Sequence, residues 1–552
     1  MLGSFDIIII FVWLGFMLGL GKLLSRSVAH TDDFYLANRA MPVTLVICSL
    51  AACNLGMYNF ISEAGQAAKE GVSIIWHEWT GNMAFAFCGL FIMPGFRRLN
   101  LTTIPEFMGM RFGGRAHSIT AVMYALKSAG KLGLGMYLMG LAGSVIVPQI
   151  NFYWWIIIFA VVVGIYTFEG GMISVIFADA VQFILILVAT LIGYTFVAAQ
   201  VGWMPGIFEH SQPGFLNFIP PAGKFDYKFI IAILFLGISA FCCDQGIIQR
   251  SFGSKNVKTL VVAMVLVGII LTPVNPFHFF AGLAAPILNA SASTMDPDAI
   301  MTQLYVSSIP MGLLGVFIVG LLASQLSTID AELNAGATVV AKDIWQRLYK
   351  SEPSGDEKLR FSRYMTVVMT GLMILFAIVA MASGRSVVEN FLSLVGVFDT
   401  PIFVVAIIYG LKGRRINEQG AIAGYLGGAA CGGIATYICQ KYSLPDFLWW
   451  ITVSAFVGSL VITPLVSRFF SPPNKEQVEK VRRSDKGTAE EWYSIIPRTV
   501  PGKITLGVII AGGALFFLGI LLGGMGSAHA SLLGVGGMVI YFVGCGTRLL
   551  FK

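Results

Sequence analysis

Ser49-Leu50-Ala51-Ala52-Cys53-Asn54-Leu55-Gly56-Met57-Tyr58-Asn59-Phe60 lies in the middle of an apolar run, 43–64, long enough to cross a bilayer. Two asparagines, a glycine and a cluster of small residues at that depth break the rule that a lipid-facing segment is uniformly apolar. One reading is a helix unwound in mid-span, whose freed carbonyls bind a cation; the other is close packing of small residues between helices. A second interrupted span favours the first. Gly237-Ile238-Ser239-Ala240-Phe241-Cys242-Cys243-Asp244-Gln245-Gly246 is again short and polar-broken, five spans further on. Paired broken helices at matching positions of two halves are the sequence mark of an inverted repeat with its binding site at the crossing point.

Outward from these two breaks, the chain is apolar almost throughout. Of its 552 residues 56% are hydrophobic and 12% charged, about half the charge of an average soluble protein, which carries roughly 25%. The 62 glycines suit helices packed closely in lipid. A soluble enzyme, a disordered chain and a nucleic-acid binder are excluded. Fifteen apolar stretches run from 5–24 to 532–547, among them 73–95, 118–147 and the close pair 152–167 and 172–200. The expectation is therefore an all-α polytopic membrane protein of about 15 transmembrane helices. With the N-terminus outside, 29 of the 36 Lys and Arg fall on the cytoplasmic side, against Lys69, Lys224, Lys228, Arg385 and Lys441 outside. That asymmetry orients the chain with its C-terminus, Arg548 to Lys552, in the cytoplasm. It also absorbs the net charge of +7, so no nucleic-acid partner is expected. The eight cysteines show no metal-ligand spacing and read as small packing residues.

The polar residues left inside apolar spans carry the chemistry. Asp179, within Ile173-Ser174-Val175-Ile176-Phe177-Ala178-Asp179, must face a wet cavity, a cation or a basic partner. Ser324, Ser327 and Thr328 stand at i, i+3 and i+4, on one face of the ninth span. Alone, such hydroxyls read as back-bonded to the preceding turn. With Asp179 and unwound carbonyls nearby, an oxygen cage for Na⁺ becomes the better reading. Glu78, Lys127, Lys131, Asp330 and Asp399 are the remaining buried charges. Lys127 and Lys131 share a helix face and an aqueous path, or snorkel, and for Lys127 snorkelling is the preferred reading. His278, between Pro276, Phe277 and Phe279, is read as packing rather than a proton relay.

In combination these stretches resemble the sodium:solute symporter family. The similarity rests on Tyr166-Thr167-Phe168-Glu169-Gly170-Gly171 running to Asp179-Ala180-Val181-Gln182, and on Asp244-Gln245-Gly246-Ile247-Ile248-Gln249-Arg250. Leu326-Ser327-Thr328-Ile329-Asp330-Ala331-Glu332-Leu333-Asn334 and Thr103-Ile104-Pro105-Glu106-Phe107 extend it. The resemblance covers roughly residues 1–470. It implies a LeuT-like fold, a 5+5 inverted repeat with extra peripheral helices, working by alternating access. It implies a sodium site from the carbonyls of Ala52 and Leu55 with Ser324, Ser327 and Thr328, and with Asp179 nearby. Where some members place two further hydroxyls for another sodium, this chain has Asp330 and Ala331, so that site is absent or uses the Asp330 carboxylate. Glu78 matches a glutamate that sugar transporters use, and Asn59 stands where they have glutamine. The helix-eight lysine of the sugar pattern is missing, with Leu271 in its place, and Gly246 replaces an inner-gate aromatic. A hexose is not expected. Tyr58, Asn59, Glu78, Asp244 and Lys131 are the candidate substrate residues.

The resulting expectation is a Na⁺-coupled secondary symporter importing a small polar or zwitterionic organic solute. Na⁺ is the coupling ion, with no organic cofactor, no enzymatic activity and no obligate protein partner. Proton coupling is the alternative, and a transporter-like sensor or a channel the alternatives of another class. The expected divisions are 1–40, a peripheral helix and loop; 41–412, the transport core; 413–470, two peripheral helices; 471–503, a cytoplasmic linker; and 504–552, two C-terminal helices. The expected location is the plasma (inner) membrane.

Overall fold

A computed structural model describes residues 3–551 except 148, 290–291, 293–294, 349–353, 384–386 and 487–492; Arg385 and Lys552 thus lie outside the described residues. The secondary structure is helical, as the need to satisfy backbone groups without water dictates. Helix starts are marked by side chains that accept first-turn N–H groups: Asn151, Asp226, Asn256, Asn417 and Thr499.

Helix α1 spans Ser4–Leu24. The first broken span is α2, Val43–Asn54, followed by a π-turn at Asn59–Glu63 and α3, Ala64–Glu70; its halves are bent by 53°. Helix α4, Trp76–Phe91, and α5, Gly114–Ile146, follow. Helix α6 runs from Phe152 to Ala198. The second broken span is α7, Tyr227–Cys243, with α8, Gln245–Phe252, bent by 50°. Next come α9, Val257–Val274, and α10, Pro276–Leu288, then α11, Leu313–Val339. Helices α12, Gly355–Ser383, and α13, Val387–Phe403, precede two hairpins. These are α14, Glu418–Lys441, with α15, Phe447–Ser467, and α16, Val500–Gly524, with α17, Ala530–Arg548.

Both interruptions expected from the sequence are present, at the expected residues. The number of spans differs. Ten described helices are long and apolar enough to cross a membrane, or twelve with each bent pair counted once. The shortfall from fifteen has three sources. Helix α4 is only 16 residues long, and α5 dilutes its apolar stretch with Lys127 and Lys131. The expected pair 152–167 and 172–200 runs on without a loop, as two helices that meet at a kink, and so counts only once among the ten. Its backbone is broken at Gly171, which has φ 50° and ψ −141°. A Cβ there would come within 2.5 Å of the Phe34 ring, so both the conformation and the space require glycine.

Helix α11 is the centre of the assembly and packs against α1, α2, α5 and α6. Glycines set the closest approaches elsewhere. In the last hairpin, a Cβ on Gly519 would lie 2.3 Å from the Gly534 nitrogen, and one on Gly512 2.3 Å from the Tyr541 nitrogen. All eight cysteines are free thiols.

Candidate functional site

At the first break, Leu55 leaves the helix with φ −96° and ψ 87°, so local carbonyls are released from the i→i+4 ladder. Helix α11 passes alongside and meets them. The Ser327 hydroxyl donates to the Ala52 carbonyl at 2.9 Å and the Thr328 hydroxyl to the Cys53 carbonyl at 3.3 Å. Both hydroxyls also reach the Ser324 carbonyl, at 2.8 and 3.2 Å. Four of the five expected sodium-site residues therefore sit within two turns of one another across two helices. The Ser324 hydroxyl itself is turned back onto Leu321 at 2.7 Å, the back-bonding that an isolated helical Ser adopts. Ser324 thus offers its carbonyl to this junction. Leu55 is fully buried beside it.

A cavity of about 160 Å³ opens between the two breaks, lined by Tyr58, His77, Glu78, Lys131, Asp244 and Glu332, with Thr328 on its wall. Gln325, Thr328, Ile329 and Glu332 all face it, an i, i+3, i+4, i+7 stripe of α11. A second cavity of about 340 Å³ lies next to it, and His77 lines both.

Three charge clusters surround the cavity. In the first, Lys127 Nζ is 2.9 Å from Asp244 Oδ2 and 2.6 Å from Asp399 Oδ1. Lys131 Nζ is 2.6 Å from the same Asp244 oxygen and 2.7 Å from Glu332 Oε2. Asp244 also caps α8, accepting from Gly246 N at 3.0 Å through Oδ1. In the second, fully buried Arg250 spans Asp179 at 2.9 Å and Asp330 at 3.3 Å. Ser49 donates to Asp179 at 2.5 Å, and Tyr166 to Asp330 at 2.7 Å. In the third, His77 joins Glu63, and Glu63, His77 and Glu78 bring ligand atoms within 4.8 Å of one another. Glu78 accepts from Asn275 at 2.7 Å, and Asn59 donates to Glu63 at 2.9 Å. This third group has the donor set and spacing that a cation could use.

Several expectations need correction. Lys127 does not snorkel; its side chain is 1% exposed and bridges two helices, because Asp244 and Asp399 provide the counter-charge that water would have given. Asn59 does not line the cavity; it is fully buried and is held by Glu63 one turn on. Of the three partners allowed for Asp179, the one present is the base, Arg250. Asp330 joins that same cluster instead of the hydroxyl cage. Asp244 does line the cavity, though both its oxygens are already engaged. Tyr58, Glu78 and Lys131 are there as expected. His278 packs on Phe60, with ring centroids 4.2 Å apart, and pairs with Thr190 at 2.9 Å. Glu63 and His77 are given no role by the sequence reading, and Glu332 and Arg250 stand in its motifs without a role assigned. A lone arginine six residues after the second break was the available signal for the last of them.

The family model of the sodium:solute symporters matches residues 34–428, well over half of the chain. The chain belongs to the sodium:solute symporter family. Among its family relatives, the sodium/sialic acid symporter NanT of Aliivibrio fischeri is 25% identical over 508 residues, which is 89% of this chain and 99% of that protein. The sodium/glucose cotransporter of Vibrio parahaemolyticus is 26% identical over 457 residues, 77% of this chain and 83% of its own. The human sodium/myo-inositol cotransporter 2 is 24% identical over 562 residues, 91% and 82%. Among solved structures, a substrate-bound, outward-open Na⁺-coupled sialic acid symporter aligns with a TM-score of 0.77 at 21% identity, covering 86% of this chain and 99% of that one. A nucleobase-cation-symport-1 family transporter in a closed conformation aligns at 0.53 and 15% identity, covering 82% and 98%. These structural likenesses show a shared LeuT-like fold. The family's members are integral membrane transporters, and this chain is one of them rather than an enzyme.

Proposed function

We propose that the protein is a Na⁺-coupled secondary active symporter that imports a small polar organic solute by alternating access. The observation that carries this reading is the seating of the Ser327 hydroxyl on the Ala52 carbonyl at the helix break, 2.9 Å away. A Na⁺ bound by the carbonyls of Ala52 and Leu55 with Ser324, Ser327 and Thr328 holds α2 against α11. It thereby couples ion binding to the state of the cavity that Thr328 also lines. Asp179 acts at one remove, by fixing Arg250 beside α11. In the cavity, Tyr58, Glu78, Lys131 and Asp244 contact the solute.

Counting α4 and α5 as spans and α6 as two passes gives fifteen transmembrane segments, with the N-terminus outside and the C-terminus in the cytoplasm of the plasma (inner) membrane. Residues 41–412 form the transport core, flanked by 1–40, 413–470 and 504–552, with 471–503 as a cytoplasmic linker. One positive charge moving inward across 100 mV releases about 2.3 kcal/mol, enough to concentrate a solute roughly fiftyfold before the Na⁺ gradient is added.

Uptake of labelled solutes into proteoliposomes tests the reading. It predicts accumulation with external Na⁺ and none when K⁺ replaces it at fixed pH, with loss in the Ser327→Ala, Thr328→Ala double variant. Equal uptake in K⁺ overturns it. Uptake driven by a pH gradient alone favours coupling through Glu78, Asp179 or Asp330 instead.

A further inference from the structure

The charges around the cavity do not balance, and their excess names the class of solute. Resting on the symporter reading above, we infer that the transported solute carries a positive charge on nitrogen: it is an organic ammonium, with any carboxylate subordinate to the cationic end.

The inner end of the cavity holds Asp244 and Glu332 against Lys131, with Lys127 and Asp399 directly behind. The outer end holds Glu78 and His77, with Glu63 behind them. Five carboxyl groups thus face two lysines and one histidine, so acidic side chains outnumber basic ones by two. The cluster behind Gly246 is negative as well, since Asp179 and Asp330 share the single Arg250.

Lys131 is the cation an anionic solute would seek, and its charge is already taken. Carboxylate oxygens lie 2.6 and 2.7 Å from its nitrogen on two sides. An incoming carboxylate would have to share that ammonium with both of them, bringing a third like charge against Asp244 and Glu332 in a buried site. Tyr58, Phe241 and Phe391 make much of the wall. Tyr58 and Phe391 stack with ring centroids 6.2 Å apart, and aromatic faces attract ammonium groups. One independent feature points the same way. Gln325 is 3% exposed and lines the cavity, and its Oε1 has no hydrogen-bond partner among the described residues. An unpaired buried acceptor is costly, and an N–H donor from the solute satisfies it.

The test is thermal unfolding of the purified full-length chain in maltoside micelles, in sodium or potassium chloride. The ligands are choline, phenethylamine and glycine betaine. Choline and phenethylamine are each paired with the neutral isostere in which carbon replaces the charged nitrogen. D-glucose and N-acetylneuraminate represent neutral and anionic solutes. The expectation is that choline or phenethylamine stabilises the fold with an affinity at least about tenfold above its isostere. Glu332→Gln at the inner end, or Glu78→Gln at the outer end if the first variant does not fold, should reduce that preference, read as the ratio of ammonium to isostere affinity within the same variant.

Equal effects of ammonium and isostere, stabilisation by glucose or N-acetylneuraminate instead, or no response to any of the three nitrogen cations overturns the inference. Failure of the underlying reading looks different. Ammonium stabilisation that is identical in sodium and potassium keeps the cation and removes Na⁺ coupling. Sodium-dependent stabilisation by glucose or N-acetylneuraminate does the reverse.

Discussion

Lys127→Met separates a structural lysine from a snorkelling one. The wild-type ammonium is 1% exposed and donates to Asp244 at 2.9 Å and to Asp399 at 2.6 Å. After the substitution Asp244 retains Lys131, but Asp399 has lost the one cation it pairs with among the described residues, where its Oδ2 has no partner even in the wild type. Removing one member of a buried ion pair costs about 3–5 kcal/mol, because the other is left as an uncompensated charge. Two lost charge-assisted hydrogen bonds at about 1.5–3 kcal/mol each give the same range. The measurement is reversible unfolding in mixed micelles of SDS and maltoside, followed by tryptophan fluorescence. Lys127→Met should lose about 3–5 kcal/mol, and adding Asp399→Asn should restore most of it, since the stranded charge is then gone. Lys131→Met, at a 12% exposed side chain whose partners keep Lys127 and Tyr124, should cost about 1 kcal/mol and act mainly on solute binding. If Lys127→Met falls within about 0.5 kcal/mol of the wild type, the usual range of a surface substitution, the lysine reaches water and the three-carboxylate network is wrong.

Arg250→Met strands two carboxylates, Asp179 and Asp330, and should abolish stable expression; Asp179→Asn in the same chain should recover part of the folded yield, read by size-exclusion chromatography. Gly519→Val in α16 forces a side chain to within 2.3 Å of the Gly534 backbone and should cost about 1–3 kcal/mol in the same unfolding assay. Outside the spans, burial alone would raise the Glu106 carboxyl. Lys342 at 2.9 Å and the backbone N–H groups of Thr102 and Thr103 outweigh it and hold the group below its usual range. A depressed carboxyl stabilises the fold at neutral pH and loses that contribution as pH falls through its folded value. Glu106→Gln should therefore flatten the loss of stability between about pH 5 and 3, and an unchanged acid limb contradicts the pairing.

The two helix breaks were readable because polar and small residues clustered in mid-span are costly in lipid unless the helix opens there to use them. Ser327 and Thr328 were readable for a related reason: their spacing fixes a common face, and the resemblance supplied the facing carbonyls of Ala52. Helix periodicity gives the face of one helix but not its rotation against a neighbour. Asn59 shows the limit of the resemblance: it stands where sugar transporters have glutamine, but in the π-turn Asn59–Glu63 it is buried and held by Glu63. The unread rotation is why Lys127 lost its partners: Asp244 and Asp399 lie 117 and 272 residues away, and no local pattern brings them together. Asp179 was recognised as needing company, but whether the partner was a bound ion or Arg250 depended on a contact across 71 residues. The span count turns on Gly171, where two apolar runs meet at a kink with no loop between them, so that length and composition count one span for the two runs.

The central claim is that Na⁺ binds where α11 crosses the broken α2, and a sodium titration of thermal stability tests it without knowledge of the solute. A ligand specific to the folded state stabilises it by RT ln(1 + [L]/Kd). The unfolding temperature of the purified wild type should therefore rise with NaCl at constant total NaCl plus KCl. The Ser327→Ala, Thr328→Ala double variant should fold and show no such rise. A wild type that responds equally to sodium and potassium, or a double variant that keeps the full sodium response, contradicts the account.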